Sequence, residues 1–123
     1  MNDVNSQLGA VNISHEVLAS IAGNAATECY GLVGMASRTL RDGIAELLGR
    51  DAVSTGVEVK VDGDQVVIEL YIIVEYGVRI SEVARNIQER VKYSVENLTG
   101  RNVNSVNVNV QGVRVGGKQT KGR

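Results

Sequence analysis

Val66, Ile68, Leu70, Ile72 and Val74 occupy every second position of a strand-like run that ends at Tyr76. A period of two sets all five on one side of a strand. A wholly apolar side must be core, and each such side chain contributes roughly 1.5–3 kcal/mol when fully buried. Upstream, Val57, Val59 and Val61 alternate with Glu58 and Lys60 before Asp62-Gly63-Asp64-Gln65 turns the chain. With Asp62 facing Gln65 across a two-residue Gly63-Asp64 turn, Val61 pairs with Val66, Val59 with Ile68 and Val57 with Leu70. A three-residue loop would set Val57 opposite Glu69 and put a charge on the apolar side. A one-residue slip inverts every side chain, so the pattern selects the first register. Glycine at the first central position is what a type II′ turn requires. Continued, the same register sets Thr55 opposite Ile72 and Val53 opposite Val74, so the earlier strand is expected to begin near Val53.

Gly77 breaks the run, and Ile80, Val83, Ala84, Ile87, Val91, Val95 and Leu98 then recur at helical spacing. Arg85 with Glu89 and Lys92 with Glu96 stand four apart on the other side, where ion pairs add a few tenths of a kcal/mol. Gly100 occupies the left-handed stop position. Val106-Asn107-Val108-Asn109-Val110 alternates again, completing a strand–helix–strand unit.

Toward the N-terminus, Gln7 to Ile13 reads as a weaker strand. Ser14 is placed to cap the helix after it, with Ile13 and Leu18 as a hydrophobic staple. Val17, Leu18, Ile21, Ala22 and Ala25 share one helical face. Tyr30-Gly31-Leu32-Val33-Gly34 interrupts the pattern, and a shorter helix from about Thr39 to Leu48 follows, with Leu40, Ile44, Leu47 and Leu48 on one side. The expectation is a single α+β domain over residues 1–115, in the order β-α-α-β-β-α-β. Its mixed sheet has three or four strands and is covered on one face by helices. Residues 116–123 read as a flexible basic tail.

Composition narrows the function. The chain has 123 residues, enough for one core without metal or disulfide staples. Phe, Trp and Pro are absent and four Tyr are the only aromatic residues, which argues against recognition by base stacking. A single cysteine, Cys29, excludes an internal disulfide and fits a reducing compartment. No signal-peptide pattern and no span of about 20 apolar residues is visible, so a cytoplasmic location is expected. Net charge is −1 but unevenly spread: residues 1–36 carry no Lys or Arg, and no acid follows Glu96.

Taken together, the strand ending in Tyr76-Gly77, Val78-Arg79-Ile80 opening a Val-rich helix with Asn86-Ile87-Gln88 inside it, Leu98-Thr99-Gly100, and Val106 to Val113 resemble the alkaline-shock, or general-stress (Gls-type), envelope stress response family of Gram-positive bacteria. Gly9-Ala10-Val11-Asn12-Ile13-Ser14 and Gly31-Leu32-Val33-Gly34-Met35 extend the likeness over about residues 8–115. The resemblance implies a cytoplasmic protein without enzymatic activity or cofactor, linked to cell-envelope homeostasis. It also implies self-association, or a partner held at the membrane. It supplies no catalytic residues.

The residues themselves agree on the chemistry. His15 is the only histidine and has no nucleophile near it in sequence. Cys29 lies on the apolar side of its helix, where a free cysteine behaves as a small hydrophobe. Asp62 and Asp64 flank Gly63 without the ligand series of a calcium loop, as ordinary hairpin residues do. No metal, cofactor or enzymatic activity is therefore expected. Two functions stay open. One is a scaffold or adaptor, homo-oligomeric or bound to a membrane-anchored partner, using the second face of the long strand: Val67, Tyr71 and Ile73. The polar, uncharged Asn107, Asn109 and Gln111 would form the rim of that interface. The alternative is a K-homology-like RNA-binding module, in which Gly31, Leu32, Val33 and Gly34 would be the loop that clamps a nucleotide backbone.

Overall fold

The computed structural model describes residues 14–37 and 55–115. In chain order these form helix α1 (His15–Thr27), strand β1 (Leu32–Met35), strand β2 (Val57–Asp62), strand β3 (Gln65–Glu75), helix α2 (Ile80–Thr99) and strand β4 (Asn102–Arg114). The expected first strand at Gln7 to Ile13, the expected helix at Thr39 to Leu48 and the basic tail lie outside the described residues.

β3 is the centre of a mixed four-stranded sheet. The hairpin has the register that the apolar alternation selects: Val57 opposite Leu70, Val59 opposite Ile68 and Val61 opposite Val66. Gly63 takes φ +66°, the sign its turn position needs. β4 runs parallel to β3 along its full length, after the α2 crossover. On the other edge, β2 pairs with residues 65–70 of β3, and β1 pairs with residues 72–74. Two separate segments thus share one edge end to end.

That arrangement corrects the expected start of the earlier strand. β2 begins at Val57, and Ile72 faces Met35 of β1 where Thr55 was expected. Gly56 sits at the junction, where a Cβ would come 2.8 Å from the Ala36 carbonyl oxygen and 3.1 Å from Met35 Cβ. The chain leaves the edge there because β1 already fills it.

α1 and α2 cover one face of the sheet. Leu18, Ala22, Ala25 and Ala26 of α1 pack with Val83, Ile87, Val91 and Val95 of α2 over Val66, Ile68, Leu70, Ile72 and Val74. Ser14 caps α1, its hydroxyl accepting from the Val17 N–H at 3.1 Å, and Gly100 closes α2 at φ +77°. Val17, Ile80 and Leu98, expected on the core faces of their helices, are exposed instead. The expected ion pairs of α2 are also replaced. Arg85 meets Glu82 at 4.0 Å, and Glu96 Oε2 accepts from the Val103 N–H at 2.9 Å.

Candidate interaction surface

The sheet's second face carries Glu58 and Lys60 from β2, Val67, Glu69, Tyr71 and Ile73 from β3, and Ser105, Asn107 and Asn109 from β4. The alternation that buries one side of β3 makes this side by default. Val67 and Tyr71 are half-buried on it. Ile73 is not accessible, with 0% exposure. Its neighbours in register are Gly34 on β1 and Gly112 on β4, in place of the expected Ser54, and Tyr71 faces Asn109 of β4.

Polar side chains on this face are engaged with one another. Glu69 accepts from Asn107 Nδ2 at 2.7 Å and from Asn109 Nδ2 at 3.0 Å, and Asn109 Nδ2 also donates to the Leu70 carbonyl at 3.1 Å. Gln111 Nε2 reaches the Ser37 carbonyl at 3.3 Å. Glu58 stands directly opposite Glu69. Like charges in that position repel, and the two asparagine amides direct their donors at the one of the pair that lies on the central strand. The resulting patch is an aliphatic and a phenolic side chain framed by amides and carboxylates, chemistry suited to a wet protein–protein contact.

Gly31 to Gly34 do not form a loop between two helices. Gly31 is buried at φ +92°, its carbonyl accepts from the Glu75 N–H at 2.8 Å, and Leu32 to Gly34 belong to β1. A strand in the sheet leaves no free glycine loop to hold a phosphate. His15 is exposed in the first turn of α1. Cys29 is partly buried with Sγ 3.7 Å from the Ala25 carbonyl, and burial raises its pKa more than the nearby Arg90 lowers it; Glu28 raises it further. Among the described residues, no three His, Cys, Asp or Glu side chains are grouped to hold a metal ion, and no helix is long and apolar enough to cross a membrane.

A second surface went unrecognised in the sequence. Tyr30 is 81% exposed and Tyr76 is 74% exposed. Each precedes a glycine with φ +92°, Gly31 and Gly77. The repeated Tyr-Gly pair is the signal that could have found them.

Residues 3–115 match a protein family described as ASP23, cell envelope-related function. YloU of Bacillus subtilis (strain 168) is 50% identical over 114 residues, which cover 92% of this chain and 95% of that protein. Spy1614 of Streptococcus pyogenes serotype M6 is 40% identical over 116 residues, covering 94% and 96%. Among solved structures, one named MamM-CTD 215-293 aligns with a TM-score of 0.48 at 16% identity, covering 79% of this chain and 96% of that one.

Proposed function

This chain belongs to the alkaline shock ASP23 family, whose function is cell envelope-related, and on that premise we propose that it is a non-enzymatic scaffold or adaptor. It works in the cytoplasm beside the envelope, by self-association or by contact with a partner held at the membrane. The second face of the sheet is the self-associating surface, with Val67 and Tyr71 at its centre. The observation that carries this reading is the frame around those two side chains. Asn107 and Asn109 are hydrogen-bonded to Glu69, so the carboxylate nearest the apolar pair already has partners. A second copy would therefore cover Val67 and Tyr71 beside a carboxylate that already has partners, with Glu58 and Lys60 left toward the wet rim. A two-fold dimer is the simplest assembly for one self-complementary patch.

Sedimentation of the wild type and of Val67→Lys with Tyr71→Lys, at matched concentrations, tests it. The wild type is expected to associate and the folded variant to be monomeric. A wild type that stays monomeric at high micromolar concentration would sink the self-association reading. Ile73 is unsuitable for this test, because a lysine at a fully buried position would disrupt folding.

A further inference from the structure

β4 is an open edge of the sheet: among the described residues, no strand lies beyond it. The two edges are built differently. β2 and β1 make the other one from six and four residues, interrupted at Gly56 and carrying Glu58, Lys60 and Asp62. Charges, short strands and breaks of this kind discourage pairing with a further strand. β4 runs for 13 residues and carries no charge and no proline from Asn102 to Val113. Its register shifts beside Val66 and beside Ile72, which leaves Ser105 to Val110 as a regular run.

The backbone of that run points outward at alternate residues. Asp62 and Gln65 flank the two-residue turn as a hydrogen-bonded pair, so Val66, Ile68 and Leu70 turn their N–H and C=O groups away from β2, toward β4. In a parallel pair, a residue with both groups turned across stands opposite one with both turned away. Val106 and Val108, opposite Ile68 and Leu70, therefore present theirs to the open side. Gln88 of α2 agrees with this, its Nε2 donating to the Val106 carbonyl at 2.9 Å. That carbonyl keeps a second lone pair. Beside it lies a hollow of about 330 Å³, walled by Ser105 and Asn107 of β4 and by Glu89 and Lys92 of α2. Neither of those two charges makes an ion pair among the described residues.

We propose that the outer edge of β4 pairs with β4 of a second copy, antiparallel about Val106, joining two four-stranded sheets into one. The charges select a copy of the same chain over a foreign strand. Glu89 and Lys92 are three residues apart, about 4.5 Å along α2. A two-fold axis through the hollow brings each copy's acid beside the other's base, whereas a foreign peptide would have to carry both charges in reverse order. Such rim pairs set partner and register more than affinity. The edge axis is normal to the sheet, and the axis relating two sheets packed face to face is parallel to it. Perpendicular two-folds close as a tetramer, in which two face-to-face dimers form two edge contacts at once. A single edge contact lacks that gain and is weak. The tetramer rests on the face-to-face reading above; the edge pairing uses none of its residues.

Sedimentation and amide exchange of the full chain at low salt test it. The wild type is expected as a tetramer. Glu89→Lys sets cation against cation and should raise the dimer–dimer dissociation constant at least about tenfold. Glu89→Lys with Lys92→Glu restores the opposed charges and should restore the tetramer. In the wild type the Val108 N–H should exchange at least about tenfold more slowly than in Glu89→Lys, while that of Asn107, turned toward β3, is unchanged. A wild type that stops at a dimer indifferent to Glu89→Lys would overturn the edge pairing and leave the face-to-face contact standing. A dimer that Glu89→Lys dissociates, and that Val67→Lys with Tyr71→Lys does not, would support the edge and sink the face. A slow Val108 N–H in a monomeric variant would overturn the proposal in favour of a cover from within one chain. A wild type that is monomeric at high micromolar concentration sinks both contacts.

Discussion

A Cβ on Gly31 would lie 2.7 Å from Val83 Cγ2, so the turn that leads into β1 meets α2 at a distance that only glycine permits. The same residue has φ +92°, a region unfavourable to L side chains. Gly31→Ala combines both costs and should destabilise the protein by roughly 2–4 kcal/mol. Gly31→Ala with Val83→Ala removes the collision but not the φ strain, and opens space in the core. Denaturant titration of the three variants should therefore show coupling between the two positions, with the double variant losing less than the sum of the single losses.

Asn109 makes two hydrogen bonds with one amide, to Glu69 at 3.0 Å and to the Leu70 carbonyl at 3.1 Å. Asn109→Ala should cost about 1–2 kcal/mol, because it removes one charge-assisted bond and leaves Glu69 with fewer partners opposite Glu58. Asn107→Ala, at an exposed position, should cost less. Equal losses in urea titration would contradict this account.

Glu96 holds the start of β4 by accepting from the Val103 N–H at 2.9 Å, and Val103 is only 3% exposed. Glu96→Ala leaves that N–H without its acceptor and should cost roughly 1–3 kcal/mol. Lys92→Ala should change stability by less than about 0.5 kcal/mol. The two thermal melts separate a side chain that serves the backbone from one that serves only the surface.

Burial raises the Cys29 pKa above its usual value, with Glu28 adding to the rise and Arg90 opposing it. Alkylation of the folded protein should therefore be slower at neutral pH than that of a free thiol, and accelerate only at higher pH. Arg90→Gln removes the opposing influence and should slow the reaction further. Since the folded state holds the thiol proton more tightly, this contribution to stability is complete below the unfolded thiol's pKa. It is lost as pH rises through the folded one. An alkylation rate that Arg90→Gln increases would refute the assigned cause.

The long hairpin was legible because a strand's two faces are chemically opposite: Val57, Val59 and Val61 could meet Val66, Ile68 and Leu70 in one register alone. α2 was legible for the same reason, through Val83, Ile87, Val91 and Val95. Periodicity does not say where the cover ends, so Ile80 and Leu98 were assigned to the core although both are exposed. β1 was not legible. Leu32–Met35 is four residues long with a central glycine and is a strand only because Val74, Ile73 and Ile72 pair with it. From that missed pairing came the misplaced start of β2 and the apparent availability of Ile73. Alternation placed Val67, Tyr71 and Ile73 on one side of β3, but it could not set Ile73 apart, because its burial depends on contacts remote in sequence.

The shared edge of β3 also sets an order of assembly. β2 reaches its half across a two-residue turn, whereas β1 must close a loop of almost forty residues to reach the other half. Local contacts form at a smaller entropic cost than distant ones. The hairpin and the α2–β4 return can consolidate first, with β1 arriving last to seal the gap beside Gly56. In the folded protein the same asymmetry makes β1 the first strand to open, and its amides should exchange with solvent sooner than those of β2. The central strand is thus held along one half by its nearest neighbour in the chain and along the other by a latch.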